Sequence, residues 1–126
     1  MRVWINNVEY NFTEELWRSV STNQIHRDGD EPAIIDPGHK MLWYKHGKLH
    51  RENGPARVNS NGYKEWYYEG KLHRLDGPAI EWPQKNLYQW YINGKHRTFS
   101  ILDWIEENNI DVSTKEGQMA MKLRWS

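Results

Sequence analysis

The chain repeats one 14-residue motif at a spacing of 23 residues, and this repeat constrains the fold more than any other feature. One copy runs from Trp43 to Ala56 and the next from Trp66 to Ala79. Both match Trp-Tyr-x-x-Gly-Lys-Leu-His-Arg-x-x-Gly-Pro-Ala. A third copy covers Trp90–Arg97, and a degenerate copy covers His26–Ala33. A short fixed period predicts an array of units, each of which buries its apolar face against its neighbours.

Each unit contains the residues of one β-hairpin. An aromatic segment is followed by a two-residue turn that ends in glycine, which tolerates the positive φ of tight hairpin turns. These turns are His46-Gly47, Glu69-Gly70 and Asn93-Gly94. The segments Tyr63–Tyr68 and Ala79–Trp82 have the composition of strands. We therefore predict an antiparallel meander over residues 21–97, with one hairpin per unit.

The N-terminal segment, residues 1–20, predicts a small hairpin followed by a short helix. Val3–Ile5 and Val8–Tyr10 flank Asn6-Asn7, and asparagine suits a tight turn. Thr13 is a suitable N-cap for a helix with acidic residues in its first turn. Residues 21–40 are rich in Asp, Gly and Pro, which predicts loop around the degenerate copy.

The C-terminal segment, residues 98–126, predicts a helix and then a strand. Ser100 is a suitable N-cap, and residues 101–110 carry an apolar stripe at helical spacing. The tail, residues 119–125, alternates with a period of two, which indicates a strand. A short helix is the alternative, because Met119 and Leu123 lie four residues apart.

The two ends of the chain match at a constant offset of 87 residues. The matched pairs are Ile5 with Ile92, Asn6 with Asn93, Asn7 with Gly94, Phe12 with Phe99, Thr13 with Ser100 and Trp17 with Trp104. Open repeat arrays need capping units, so we predict that residues 1–20 and 90–110 are caps. The predicted fold is one domain over residues 1–126, mainly β with short helices (α+β). It is a meander of about 23-residue β-hairpin repeats, capped by short helices at both ends.

The composition excludes several classes of site and partner. Lys plus Arg and Asp plus Glu number 17 each, and this balance argues against a binder that relies on charge to hold nucleic acid or membrane. The absence of cysteine excludes disulfides, thiolate zinc sites and cysteine nucleophiles. No apolar run is long enough to span a bilayer, and the N-terminus lacks the apolar stretch of a signal peptide. We expect a soluble cytoplasmic protein.

The repeated unit resembles the repeats of proteins from tailed bacteriophages and giant viruses. Its period and its single hairpin are also similar to MORN repeats, although the closely spaced tyrosines and glycines of that pattern are only partly present. Strong matching covers residues 43–97, and weak matching covers residues 26–33. Such repeats are associated with binding and scaffolding, so the resemblance implies a viral binding protein rather than one particular chemistry.

The repeated His-Arg pairs are the first candidate binding residues. They are His50 and Arg51, His73 and Arg74, and His96 and Arg97, with His26-Arg27 as the degenerate copy. Stacked hairpins would align these pairs along one face, where guanidinium groups bind phosphate or carboxylate. The alternative is structural: each pair bonds the turn of its own unit or pairs with Glu52 or Asp76. One metal ion cannot bridge the histidines, because equivalent atoms of successive hairpins lie roughly 10 Å apart.

The repeated aromatic residues are the second candidate set. They are Trp43, Trp66 and Trp90, each followed by a tyrosine, namely Tyr44, Tyr67 and Tyr91. Neighbouring strand residues point to opposite faces, so one row can pack under the caps and the other remains partly exposed. Exposed rows of this kind favour protein interfaces or base stacking, whereas the structural alternative is that large rings form the core of a thin sheet.

We find no sequence motif for catalysis, and the sequence predicts no enzyme and no cofactor or metal. The leading hypothesis is a non-catalytic, phage-type protein that binds a host protein and inhibits it, as in evasion of antiviral defence. One alternative is sequestration of a nucleotide or short nucleic acid by the aromatic and His-Arg rows. Another is a virion component or a homo-oligomer joined through sheet edges.

Overall fold

Antiparallel strands dominate the part of the chain that the structure, a computed structural model, describes: residues 2–5, 8–13, 16–19, 24–35 and 40–126. In those ranges the strands are β1 (Arg2–Ile5), β2 (Val8–Thr13), β3 (Leu16–Ser19), β4 (Ile34–Ile35), β5 (Met41–Leu42), β6 (Tyr44–Lys45), β7 (Lys48–Leu49), β8 (Arg57–Val58), β9 (Lys64–Glu65), β10 (Tyr67–Tyr68), β11 (Lys71–Leu72), β12 (Ile80–Trp82), β13 (Leu87–Gln89), β14 (Tyr91–Ile92) and β15 (Lys95–His96). Nine of them form one sheet in the order β1-β2-β3-β4-β5-β8-β9-β12-β13, and the other six form three hairpins.

The three hairpins have the turns that the sequence predicts. His46 and Gly47 have φ of 50° and 79°, and Glu69 and Gly70 have φ of 48° and 83°. Asn93 also has a left-handed φ of 50°. Two consecutive positive φ values match the twist of the flanking strands. The predicted antiparallel hairpin arrangement is confirmed.

The strand expected over Tyr63–Tyr68 is divided at Trp66. Strand β9 pairs with β8 and β12 in the large sheet, whereas β10 pairs only with β11 of its own hairpin. Each unit therefore contributes to two stacks: the large sheet and a stack of hairpins. Successive hairpins are joined by backbone hydrogen bonds, such as Gly70 N–H to the Leu49 carbonyl at 2.8 Å.

The N-terminal segment is all strand in its described part, so the predicted short helix there is wrong. Strand β2 pairs with β1 as expected, but it then pairs with β3, with Phe12 opposite Trp17. Leu16–Ser19 satisfies its backbone groups by joining the sheet, and so short a helix would not offset its nucleation cost. The predicted turn at Asn6-Asn7 lies outside the described residues.

Two helices follow the last hairpin: α1 (Thr98–Glu107) and α2 (Lys115–Trp125). The first was predicted, although it begins before Ser100. The strand predicted over residues 119–125 is wrong, and the helical alternative is correct. Thr114 caps α2 by accepting the Gly117 N–H at 3.0 Å, and cations in the last turn complement the helix dipole.

The helices cover the apolar end of the hairpin stack. Trp90 and Ile92 of the last hairpin pack with Ile101 of α1 and Met121 of α2 in one buried cluster. The C-terminal end is therefore closed by helices and the described N-terminal end by strands, so the predicted equivalence of the two ends is wrong. In the described part of the chain, no helix is long and apolar enough to cross a membrane.

Candidate functional site

In each complete unit the arginine of the His-Arg pair is held between the tryptophan ring and a glycine. The Arg51 guanidinium carbon lies 4.0 Å from the centre of the Trp43 ring. Arg51 Nη1 donates to the Pro55 carbonyl at 3.1 Å. A Cβ atom at Gly54 would lie 3.1 Å from the guanidinium, so glycine allows this close approach. The neighbouring Ala56 has no exposed surface, which leaves no room for a larger residue.

The next unit repeats this arrangement and adds two ion pairs. Arg74 lies 3.9 Å from the centre of the Trp66 ring, and its Nη1 donates to the Pro78 carbonyl at 3.1 Å. Arg74 Nε also donates to Asp76 at 2.8 Å, and Nη1 donates to Glu81 at 2.9 Å. The repeated Trp, Arg, Gly and Pro thus have a structural role within the unit.

The repeated histidines join each unit to the next. In the degenerate copy and in both complete units, the imidazole Nδ1 accepts the backbone N–H of the first turn residue of the following hairpin. The donors are His46 to His26 at 2.8 Å, Glu69 to His50 at 2.9 Å, and Asn93 to His73 at 3.0 Å. Burial lowers the pKa of His73, so its imidazole is neutral at pH 7. The proton is then on Nε2, because Nδ1 is the acceptor.

The third unit departs from this pattern because α1 replaces its Gly-Pro-Ala segment. His96 Nε2 lies 2.7 Å from Thr98 Oγ1, which accepts the Trp90 N–H at 2.9 Å. Arg97 is exposed and precedes the first residue of α1. The predicted binding residues of this unit therefore differ in exposure. Trp90 is buried, whereas His96 and Arg97 are at the surface.

A first cleft lies between the degenerate copy and the first complete unit. It has a volume of about 230 Å³, and Asp30, Trp43 and Arg51 are among its lining residues. The Asp30 carboxylate accepts hydrogen bonds from Arg51 Nε at 2.7 Å and Nη2 at 3.1 Å. The Trp43 indole Nε1 donates to the Asp30 carbonyl at 3.3 Å. The hydrogen bond from Arg51 lowers the pKa of Asp30, which keeps the carboxylate ionised.

A second cleft lies one unit further along the stack, and it is larger. Its volume is about 780 Å³, and its lining includes Trp66, Tyr68 and Arg74 from the hairpin stack. Gln118 and Lys122 of α2 form another part of its wall. The first and second clefts use equivalent residues of successive units, but the second has more than three times the volume of the first.

Tyr68 is the most exposed aromatic ring lining the second cleft, and sequence reasoning missed it as a site residue. Its side chain is 45% exposed. The ring lies 4.5 Å from the His50 ring and 6.2 Å from the His73 ring, centre to centre. The other two units carry Lys45 and Ile92 at this position. That variation between units was the available signal.

The predicted tyrosine row has a different environment. Tyr44, Tyr67 and Tyr91 are partly buried. Burial is the main cause that raises the pKa of Tyr67, followed by the Glu65 carboxylate, with smaller contributions from the other two tyrosines.

A buried carboxylate lies beside this row. Glu65 is 7% exposed, and its Oε2 accepts a hydrogen bond from the Tyr63 hydroxyl at 2.9 Å. Arg57 Nη1 lies 3.6 Å from the other carboxylate oxygen. Burial, together with this hydrogen bond, raises the pKa of Tyr63 to about 12. This cluster lines neither the first nor the second cleft.

Within the described residues, no group of three or more His, Cys, Asp or Glu side chains is placed to hold a metal ion. Comparisons of the chain with protein-family models, curated proteins and solved structures found no match.

Proposed function

We propose that this chain is a non-catalytic binding module that holds a segment of another protein in the second cleft. The open second cleft is the observation that supports the proposal. A volume of about 780 Å³ between Trp66, Tyr68 and Arg74 gives room for several side chains of a partner. Trp, Tyr and Arg are the residues most enriched at the energetic centres of protein interfaces.

The lining also favours a polypeptide over a purely apolar ligand. Charged groups of both signs surround the aromatic floor, including Glu52, Asp76 and Lys122. A mixed polar rim around an aromatic centre is the usual anatomy of a protein interface. Tyr68 provides a large ring with few rotatable bonds, so it loses little conformational entropy on binding.

The similarity of the repeat to repeats of phage and giant-virus proteins supports a host protein as the partner. In that case the chain would act in the host cytoplasm, and occupation of a functional surface on the partner would inhibit it. A defence protein of the host is the class of target that we propose.

The experiment compares proteins captured from host-cell lysate by the wild-type chain, Tyr68→Ala and Tyr88→Ala. Tyr88 is a matched control because it is 44% exposed, against 45% for Tyr68, and does not line the cleft. Quantitative mass spectrometry should find a protein that wild type and Tyr88→Ala retain and Tyr68→Ala loses. Equal retention by both variants, with melting temperatures unchanged, would contradict the proposal, as would capture of nothing above an empty matrix.

A cationic pocket at the C-terminal end favours nucleotide binding as a second candidate. This pocket of about 580 Å³ is lined by Lys95, Arg97 and Arg124, and none of its lining residues is acidic. Such a set of cations suits a phosphate group. A thermal-shift panel of mononucleotides with wild type and Arg97→Gln tests this candidate. No stabilisation by any nucleotide would exclude it, because a ligand at 100 times its Kd adds about 2.7 kcal/mol.

A further inference from the structure

The first and second clefts are two copies of one site, built from residues at equivalent positions. Trp43 and Arg51 in the first correspond to Trp66 and Arg74 in the second. In both, the guanidinium stacks on the indole at nearly the same distance, 4.0 Å and 3.9 Å. The chemical group bound in one copy therefore indicates the chemical group that the other copy can bind.

In the first cleft the repeated Trp-Arg pair binds an aspartate of the chain itself. Asp30 lies in a bend with Gly29, and it is held at two points. Trp43 Nε1 donates to its backbone carbonyl, and Arg51 forms a two-pronged hydrogen bond with its carboxylate. The site thus binds both the backbone carbonyl and the side-chain carboxylate of a single residue.

In the second cleft Arg74 Nε is paired instead with Asp76 of its own unit, and the linker of the preceding unit is shorter. Four residues, 28–31, separate arginine from proline in the degenerate copy, whereas three residues, 52–54, do so in the first complete unit. The difference in volume, about 230 Å³ against about 780 Å³, agrees with the missing occupant.

The donors that would hold an occupant are present in the second cleft. Across the described ranges of the chain, the Trp66 indole N–H and Arg74 Nη2 make no hydrogen bond. Lys122 adds a cation from α2 and forms no ion pair with a described residue. Asp76 occupies Arg74 Nε, so an incoming carboxylate would share the guanidinium through Nη2.

We infer that the second cleft binds an acidic segment of a partner protein. One aspartate or glutamate of that segment places its backbone carbonyl on the Trp66 indole N–H and its carboxylate between Arg74 Nη2 and Lys122. This inference rests on the proposed function and specifies the chemistry of the partner. Charge-assisted hydrogen bonds from arginine supply the preference for a carboxylate over an amide.

The chain provides its own probe for the test, a synthetic peptide of residues 27–33 with blocked ends. The peptide is titrated into the ¹⁵N-labelled protein, and the indole cross-peak of Trp66 is identified by its loss in Trp66→Phe. We expect that cross-peak to shift on titration. The peptide carrying Asp30→Asn should bind about tenfold more weakly, because a charge-assisted hydrogen bond is lost. Lys122→Gln should weaken binding about threefold, and Tyr88→Ala should leave it unchanged.

An unchanged Trp66 cross-peak at several millimolar peptide would overturn the inference, as would equal binding of the aspartate and asparagine peptides. These failures differ from failure of the proposed function. If a host protein is captured in a manner that depends on Tyr68 while the acidic peptide does not bind, the cleft is a protein site with another specificity. Binding of the acidic peptide without capture of any host protein would support the inference and remove the case for a host partner.

Discussion

The contact between Arg74 and Gly77 predicts that Gly77→Ala destabilises the fold more than the same change one unit earlier. A Cβ atom at Gly77 would lie 2.6 Å from the Arg74 guanidinium carbon and 2.8 Å from Nη2. Carbon atoms in ordinary contact are roughly 3.5–4.0 Å apart. The guanidinium cannot move freely, because it also stacks on the Trp66 ring and Glu81 holds Nη1.

The magnitude follows from two opposing effects. Forcing an extra carbon into a packed site costs about 1–3 kcal/mol. Replacing glycine by alanine returns about 0.4–1 kcal/mol through the unfolded state, where φ is compatible. Gly77→Ala should therefore lower the free energy of unfolding by about 1–2 kcal/mol. Gly54→Ala should be close to neutral, because its Cβ would lie 3.1 Å from the Arg51 guanidinium.

Urea denaturation followed by tryptophan fluorescence measures both variants. The expected loss for Gly77→Ala corresponds to a fall in Tm of about 4–8 °C. The same substitution in an Arg74→Ala background should be neutral or slightly stabilising, since the clashing group is gone. An equal loss in both backgrounds, or equal effects at Gly54 and Gly77, would refute the reasoning.

Three further predictions concern titration and helix packing. Because its pKa is raised to about 12, Tyr63 contributes stability that is complete below pH 10 and is lost as the pH rises towards 12; Tyr63→Phe should remove that decline in alkaline denaturation. Because burial lowers the pKa of His73 from 6.5, stability present above pH 6.5 is lost as the pH falls through the lowered pKa. An NMR titration of the His73 ring with a midpoint at or above 6.5 would contradict this. Gly117→Ala should cost about 3 kcal/mol in urea denaturation, because its Cβ would overlap the Asp111 carbonyl oxygen. A Gly117→Ala variant as stable as the wild type would show that the Asp111 carbonyl oxygen does not lie close to Gly117.

The features of the fold that were predictable are those that depend on neighbours within one or two units. The turns at Glu69-Gly70 and Asn93-Gly94 have the left-handed φ values that their residues favour. The structural alternative for the His-Arg pairs also describes observed contacts, such as Arg74 with Asp76 and with the Pro78 carbonyl. These turns and these contacts of Arg74 are short-range, and the residues that form them lie within one copy of the motif.

The wrong predictions concern segments whose secondary structure depends on contacts with residues outside the segment. Leu16–Ser19 resembles the start of a helix, yet it forms a strand because β2 and β4 offer a ladder on both sides. The alternating pattern of residues 119–125 misled the prediction because Met119 and Leu123 are exposed, at 64% and 83%. The residues of α2 that face the core are Gly117 and Met121.

The residues of the second cleft also divide into those that the sequence indicated and those that it did not. Trp66 and Arg74 were identified from their repetition, but Tyr68, Gln118 and Lys122 were not, because they repeat nowhere or come from a distant helix. No pattern in the sequence predicted that Arg51 would pair with Asp30 of the preceding unit while Arg74 pairs with Asp76 of its own.

By itself, the sequence determined the hairpin of the repeating unit, its turn, and the contacts of the arginine with the turn of its own unit. Those interactions are local, so the residues of two adjacent units suffice to specify them. Only the tertiary structure decided what surrounds each copy of the repeated cleft, because packing between segments far apart in the chain brings Asp30 to the first cleft and Lys122 to the second.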